Sequence, residues 1–143
     1  MMLNVFCISW FTTSLEVFMV DVSIFKKRIT EILSQEYTLE FLGDNLEEII
    51  CLLSDTKAEK IYQWVQEILA LNIRPIVTGS PKAYKEWKAH QLLTFRYPFS
   101  IGNTEYRILF VKVKNFIYIE FHLGDHKYYD KVRKDLDLKK SNY

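Results

Sequence analysis

Apolar residues along the chain switch between helical and alternating spacing, and each switch marks a boundary between elements. From Ser23 to Leu33 they fall at Phe25, Ile29, Ile32 and Leu33, one face of a helix. Tyr37–Leu42 alternates and predicts a strand, which Gly43 and Asp44 end. Asp44, with Glu47 three residues on, is read as a capping box for a short helix carrying Leu46, Ile49, Ile50 and Leu53. Thr56 and Glu59 repeat the pattern before a longer helix striped by Ile61, Trp64, Val65, Ile68 and Leu71. The two are expected to form an antiparallel pair across Ser54 and Asp55, with Trp64 in the core. Ser80 and Pro81 predict a further helix start, running to about His90.

After His90 the period becomes two. Leu92–Phe99 reads as a strand with Leu93, Phe95, Tyr97 and Phe99 on one face, and Pro98 marks an edge or an end. Tyr106–Val113 and Phe116–Leu123 follow as two more strands, joined by a tight turn at Lys114 and Asn115. On the last strand Ile117, Ile119, Phe121 and Leu123 face the core, leaving Phe116, Tyr118, Glu120 and His122 on the other side. A helix closes the chain. Before all of this, Met1–Val20 is rich in Val, Phe and Thr and fits one or two strands. The order of strand, paired helices, short helix, three-stranded antiparallel meander and final helix is that of an α+β domain.

With 143 residues, the chain is long enough for one domain with a real core. Its charge is nearly balanced overall but not along its length. Residues 1–80 hold 6 Lys and Arg against 11 Asp and Glu, whereas residues 81–143 hold 13 against 7. A basic C-terminal half suits a polyanion such as nucleic acid, and equally a folded surface on which the halves neutralise one another. Aromatic residues make up 15%, enough to fill a core or to stack on bases. Cys7 and Cys51 have no metal-site spacing and read as free buried thiols of a reducing compartment. The apolar run at the N-terminus lacks the basic start and small-residue cleavage site of a signal peptide. No stretch is apolar for long enough to span a bilayer, so a cytoplasmic protein without membrane contact is expected.

The most chemically loaded segment is Phe116–Arg133. There a strand stops at Gly124, and His126, Tyr129, Asp130 and Arg133 follow at helical spacing. An imidazole, a phenol, a carboxylate and a guanidinium at the end of a strand can move protons and hold a phosphate.

Two elements here carry a family likeness. Phe99, Ile101, Asn103, Tyr106 and Arg107 precede one strand, and His126, Tyr129 and Asp130 follow the next. Together they resemble the HigB group of RelE-type toxins from bacterial toxin–antitoxin modules. Asp125 stands where that group has Thr, which brings a carboxylate to where phosphates approach. The resemblance implies a RelE-like domain over residues 36–143: an antiparallel sheet with a helical hairpin packed on it and a C-terminal helix. Residues 1–35 are then an apolar N-terminal extension without an assigned role. It implies an mRNA endonuclease, acting on free or ribosome-bound message, with a helix-turn-helix antitoxin as partner and no cofactor or metal. His126 and Tyr129 would transfer protons, Arg107 with Lys127 or Arg133 would hold the phosphate, and Arg96 and His122 would be secondary phosphate contacts. Asp130 would orient His126 or Arg107.

Each residue also has a structural explanation. His126 could be an exposed imidazole beside an Asp125 helix cap, and Tyr129 could be core packing, with Tyr128 taking the solvent-facing role. Arg107 could pair across strands with Glu120, and His122 reads as a surface residue. A non-catalytic binding module on the same scaffold, or an interaction domain using the N-terminal segment, fits the same sequence.

Overall fold

The computed structural model describes residues 20–34, 36–78, 90–136 and 138. The first predicted strands (1–19) and most of the helix expected over 80–90 lie outside them. The described elements are α1 (Val22–Leu33), β1 (Thr38–Leu42), α2 (Leu46–Cys51), α3 (Asp55–Leu69), β2 (Ile76–Thr78), β3 (Leu92–Ile101), β4 (Thr104–Val113), β5 (Tyr118–Asp125) and α4 (His126–Asp135). They form an α+β fold with one open five-stranded sheet in the order β1-β5-β4-β3-β2.

The sheet is mixed, not purely antiparallel. β1 lies parallel to β5, while the other neighbours are antiparallel. A parallel pair needs a long crossover, and everything from α2 to β4 serves as one here. Strand periodicity reports which face is buried but not which strand lies alongside, so this pairing is invisible in the pattern.

On one face, Phe95, Ile108, Phe110, Ile119, Phe121 and Leu123 pack against α1, α2 and α3. α3 meets α1 closely: the Phe25 and Tyr62 rings are 5.5 Å apart, and the Arg28 guanidinium lies 4.3 Å from the Tyr62 ring centre. Val22, Phe25, Ile29 and Leu33 of α1 are all buried. The second half of the 1–35 stretch is thus continuous with the core of the remainder. Trp64 is buried against Tyr97, as expected, with ring centres 5.2 Å apart.

The opposite face carries Leu92, Leu109, Val111 and Val113, covered by Tyr129, Val132 and Leu136 from α4 and the residue just beyond it. The sheet is therefore sandwiched, with α4 alone on its second side among the described residues.

Several local readings shift. Asn45 and not Asp44 takes the N-cap position of α2, without a side-chain capping hydrogen bond, and α3 is capped by Ser54, whose hydroxyl accepts from the Lys57 N–H, and not by Thr56. β3 runs through Pro98 to Ile101, because β2 flanks only Leu92–Thr94 and the proline lies where β3 is an edge. β2 went unpredicted, since three residues are too few to show a period. Cys51 is disulfide-bonded and not a free thiol, which removes the thiol argument for a reducing compartment. Cys7 lies outside the described residues. No helix among them is long and apolar enough to cross a membrane.

Candidate functional site

The segment after β5 folds back over the sheet because Gly124 leaves room for it. A Cβ there would lie 2.4 Å from Cδ2 and 2.7 Å from Cβ of Tyr128, so any larger residue would push the first turn of α4 outward. Asp125 caps that turn, its carboxylate accepting from the Tyr128 N–H at 2.9 Å. α4 then lies along the sheet as a ridge, with Tyr129 and Val132 beneath it.

This ridge divides the residues singled out above. Successive helical residues turn by about 100°, so His126 and Tyr128 point to opposite flanks. His126, Asp130 and Arg133 make one row. His126 Nδ1 is 3.3 Å from Asp130 Oδ2, and Arg133 Nε is 3.5 Å from Asp130 Oδ1. His126 is 64% exposed, as the capping alternative anticipated, and Asp130 does sit where it can orient it. Arg133 is nearly buried and also donates to the Leu138 carbonyl at 3.0 Å, so its guanidinium is engaged within the helix end.

Tyr129 is core packing, only 4% exposed, and its ring is a platform for Arg107, whose guanidinium carbon stands 4.9 Å from the ring centre. The register sets Arg107 opposite Gly124, and Glu120 opposite Val111, which rules out the expected Arg107–Glu120 pair. The nearest carboxylate to Arg107 is Glu105, at 3.7 Å. Arg107 Nε and Nη1 are buried with no hydrogen-bond partner among the described residues. Arg96 lies opposite Leu109 on the neighbouring strand, on the same sheet face as Arg107.

The other flank holds what the sequence misjudged. His122, read as a surface residue, is 6% exposed, and Glu120 is 8% exposed. Face alternation puts both on the polar side of β5, but α4 covers that side. His122 Nε2 is 2.8 Å from Glu120 Oε1, and Nδ1 is 2.8 Å from the Tyr128 hydroxyl. An ionised carboxylate only accepts, so with Glu120 ionised and the ring neutral the proton sits on Nε2 and Nδ1 accepts from the phenol. The Tyr118 hydroxyl lies between Glu120 (2.7 Å) and Glu40, which the parallel β1–β5 register sets opposite Glu120, and its single proton goes to one of them at a time. The result is a continuous chain from Glu40 through Tyr118, Glu120 and His122 to Tyr128.

Tyr128 ends this chain at a half-open pocket of about 290 Å³, lined also by Lys127, Lys131, Asp44 and Asp125. Burial first, then the Asp44, Glu120 and Asp135 carboxylates, push the Tyr128 phenol up to about 12. Burial, and hydrogen bonds that its hydroxyl donates toward Glu120 and Glu40, push the Tyr118 phenol up as well. Both phenols keep their protons at neutral pH and serve as hydrogen-bonding groups. Of the expected site residues, Lys127 and His122 belong to this flank. His126, Arg107, Asp130, Arg133 and Arg96 do not line it. The sequence signal was the i, i+2 pair Glu120 and His122 followed by Tyr128, legible only once a helix is known to return over that strand face.

No group of three His, Cys, Asp or Glu among the described residues could hold a metal ion. Compared with protein-family models, curated proteins and solved structures, the chain matches none.

Proposed function

We propose that this chain is a toxin-type mRNA endonuclease that cleaves RNA without a metal, working from the N-terminal end of α4. The observation that carries the reading is the hydrogen-bonded run Glu120–His122–Tyr128 ending in a pocket rimmed by Lys127 and Lys131. Such a run can accept a proton without forming a free phenolate. As the RNA 2′-hydroxyl gives its proton to the Tyr128 oxygen, the phenol proton passes to His122 Nδ1, and Glu120 stabilises the imidazolium. The 2′-oxygen bonds to phosphorus, the bond to the 5′-oxygen breaks, and that oxygen takes its proton from water at the half-open mouth of the pocket, since His126 stands on the other flank of α4. Lys127 and Lys131 carry the charge gathering on the phosphate. Arg107 adds positive potential from beneath the ridge, with Tyr129 as its support and not as an acid. The antitoxin and ribosome partners implied by the family likeness belong to the same proposal.

Purified protein incubated with mRNA, with and without ribosomes, should give discrete fragments. Tyr128→Phe keeps the ring and removes the relay, and cleavage should fall by roughly 10²–10⁴-fold with an unchanged circular-dichroism spectrum. Intact message with the wild-type chain under both conditions overturns the reading.

Asp44 and Asp125 on the pocket rim favour a second reading, a non-catalytic module whose target is a protein. Salt separates the two, since RNA affinity falls steeply as salt rises and protein affinity need not.

A further inference from the structure

The β3–β4 hairpin extends beyond the helical layer. Burial fades along β3, from Phe95, which is buried, to Tyr97, Phe99 and Ile101, which are partly open. At that end the Phe99 and Tyr106 rings stack at 5.7 Å and 29°, and Tyr97 follows 6.1 Å from Phe99. Between this aromatic row and the start of α3 lies a half-open groove of about 350 Å³, lined by Ser54, Thr56, Lys57, Lys60, Tyr97, Phe99 and Ser100. It has no acidic lining residue. Lys57 and Lys60 make no ion pair among the described residues, unlike Lys26 and Arg28 further along the same helical layer, which pair with Glu47 and Glu59. Burial raises the Tyr97 phenol, so its hydroxyl remains a donor at the groove. The groove is on the face of the sheet opposite the relay and toward its other edge.

We infer that this groove binds one nucleotide of a single-stranded RNA, its base against Phe99 and Tyr97 and its phosphate between Lys57 and Lys60. Aromatic faces with nearby lysines hold bases with little regard to sequence, because every base has a π-face and each carries a phosphate. The open mouth lets the strand continue on both sides. The choice of RNA rests on the proposed function, whereas the groove's fit to a nucleotide does not.

The test uses the full chain and a short 2′-O-methyl oligonucleotide, which has no nucleophile and so reports binding whether or not the protein cleaves RNA. Anisotropy should show salt-sensitive binding. Phe99→Ala should weaken it by tenfold or more, as loss of one stacking platform does. Lys57→Gln with Lys60→Gln, both on the helix surface, should lower the salt slope by about 0.7. A nucleoside monophosphate should compete better than inorganic phosphate. Unchanged binding in the lysine double variant, or equal competition by phosphate alone, overturns the inference. Cleavage by wild type with an inert groove would sink this site and leave the nuclease reading intact. Groove binding without cleavage would do the reverse.

Discussion

Tyr128 has the most to gain from its neighbours and the most to lose at high pH. Its phenol is held up at about 12 by burial and by Asp44, Glu120 and Asp135, against about 10 in the unfolded chain. A folded-state value above the unfolded one means that the protonated phenol favours the fold. The stabilisation is fully present below about pH 10 and is lost as pH rises toward about 12. Urea unfolding followed across that window should show a falling midpoint in the wild type and a shallower fall in Tyr128→Phe. Part of the slope should survive in the variant, because Tyr118 is raised in the same direction. The same residue shows how adjacency decides a role. Tyr128 and Tyr129 are consecutive, yet one lines a pocket and the other lies under a helix as a ring for Arg107 to rest on.

At the scale of the element, the start of α4 serves two purposes through one side chain. Asp125 caps the helix and also lines the pocket where a phosphate would sit. Replacing it by Thr keeps an oxygen for the Tyr128 N–H and removes the charge. Asp125→Thr should leave stability nearly unchanged and tighten RNA binding. Asp125→Ala removes the cap and should cost about 1 kcal/mol. Thermal unfolding and oligonucleotide titration of the two variants separate the effects. The capping boxes proposed at Asp44 and Thr56 show the limit of such motifs. Asp44 and Asn45, or Ser54, Asp55 and Thr56, offer several cap-type side chains in succession, and which one caps depends on how the preceding turn leaves the sheet or the helix before it.

For the whole molecule, the most consequential finding is that α1 belongs to the core. Phe25 is fully buried between Tyr62 and Phe121, with ring centres 5.5 and 6.1 Å away. Phe25→Ala should destabilise the protein by about 3–5 kcal/mol, read as a lowered denaturation midpoint with little change in slope. A chain starting at Glu36 lacks the entire helix, and should lose cooperative unfolding along with it. If that shortened chain unfolds like the full one, α1 is an appendage and the core assignment fails. The mixed sheet has a matching consequence. Because β1 pairs with β5 from the far end of the described chain, Glu40 reaches the buried cluster only in the assembled domain.

Periodicity alone established α1, the strand at 38–42, the helices around Ile49 and Trp64, the three long strands and the C-terminal helix, because alternating and helical spacings record which side of each element avoids water. It also identified Phe95 on β3 and Ile119, Phe121 and Leu123 on β5 as inward, whereas Ile117, read as facing the core, is 55% exposed. Neighbourhood across sequence distance was decided by the tertiary structure. The burial of His122 and Glu120 follows from α4 lying back over a strand face that looks polar, and the parallel β1–β5 register brings Glu40 beside them. A polar face reads as solvated until another element is known to cover it. Only then does a row of Glu, His and Tyr become a hydrogen-bonded chain, since burial obliges each polar group to find a partner.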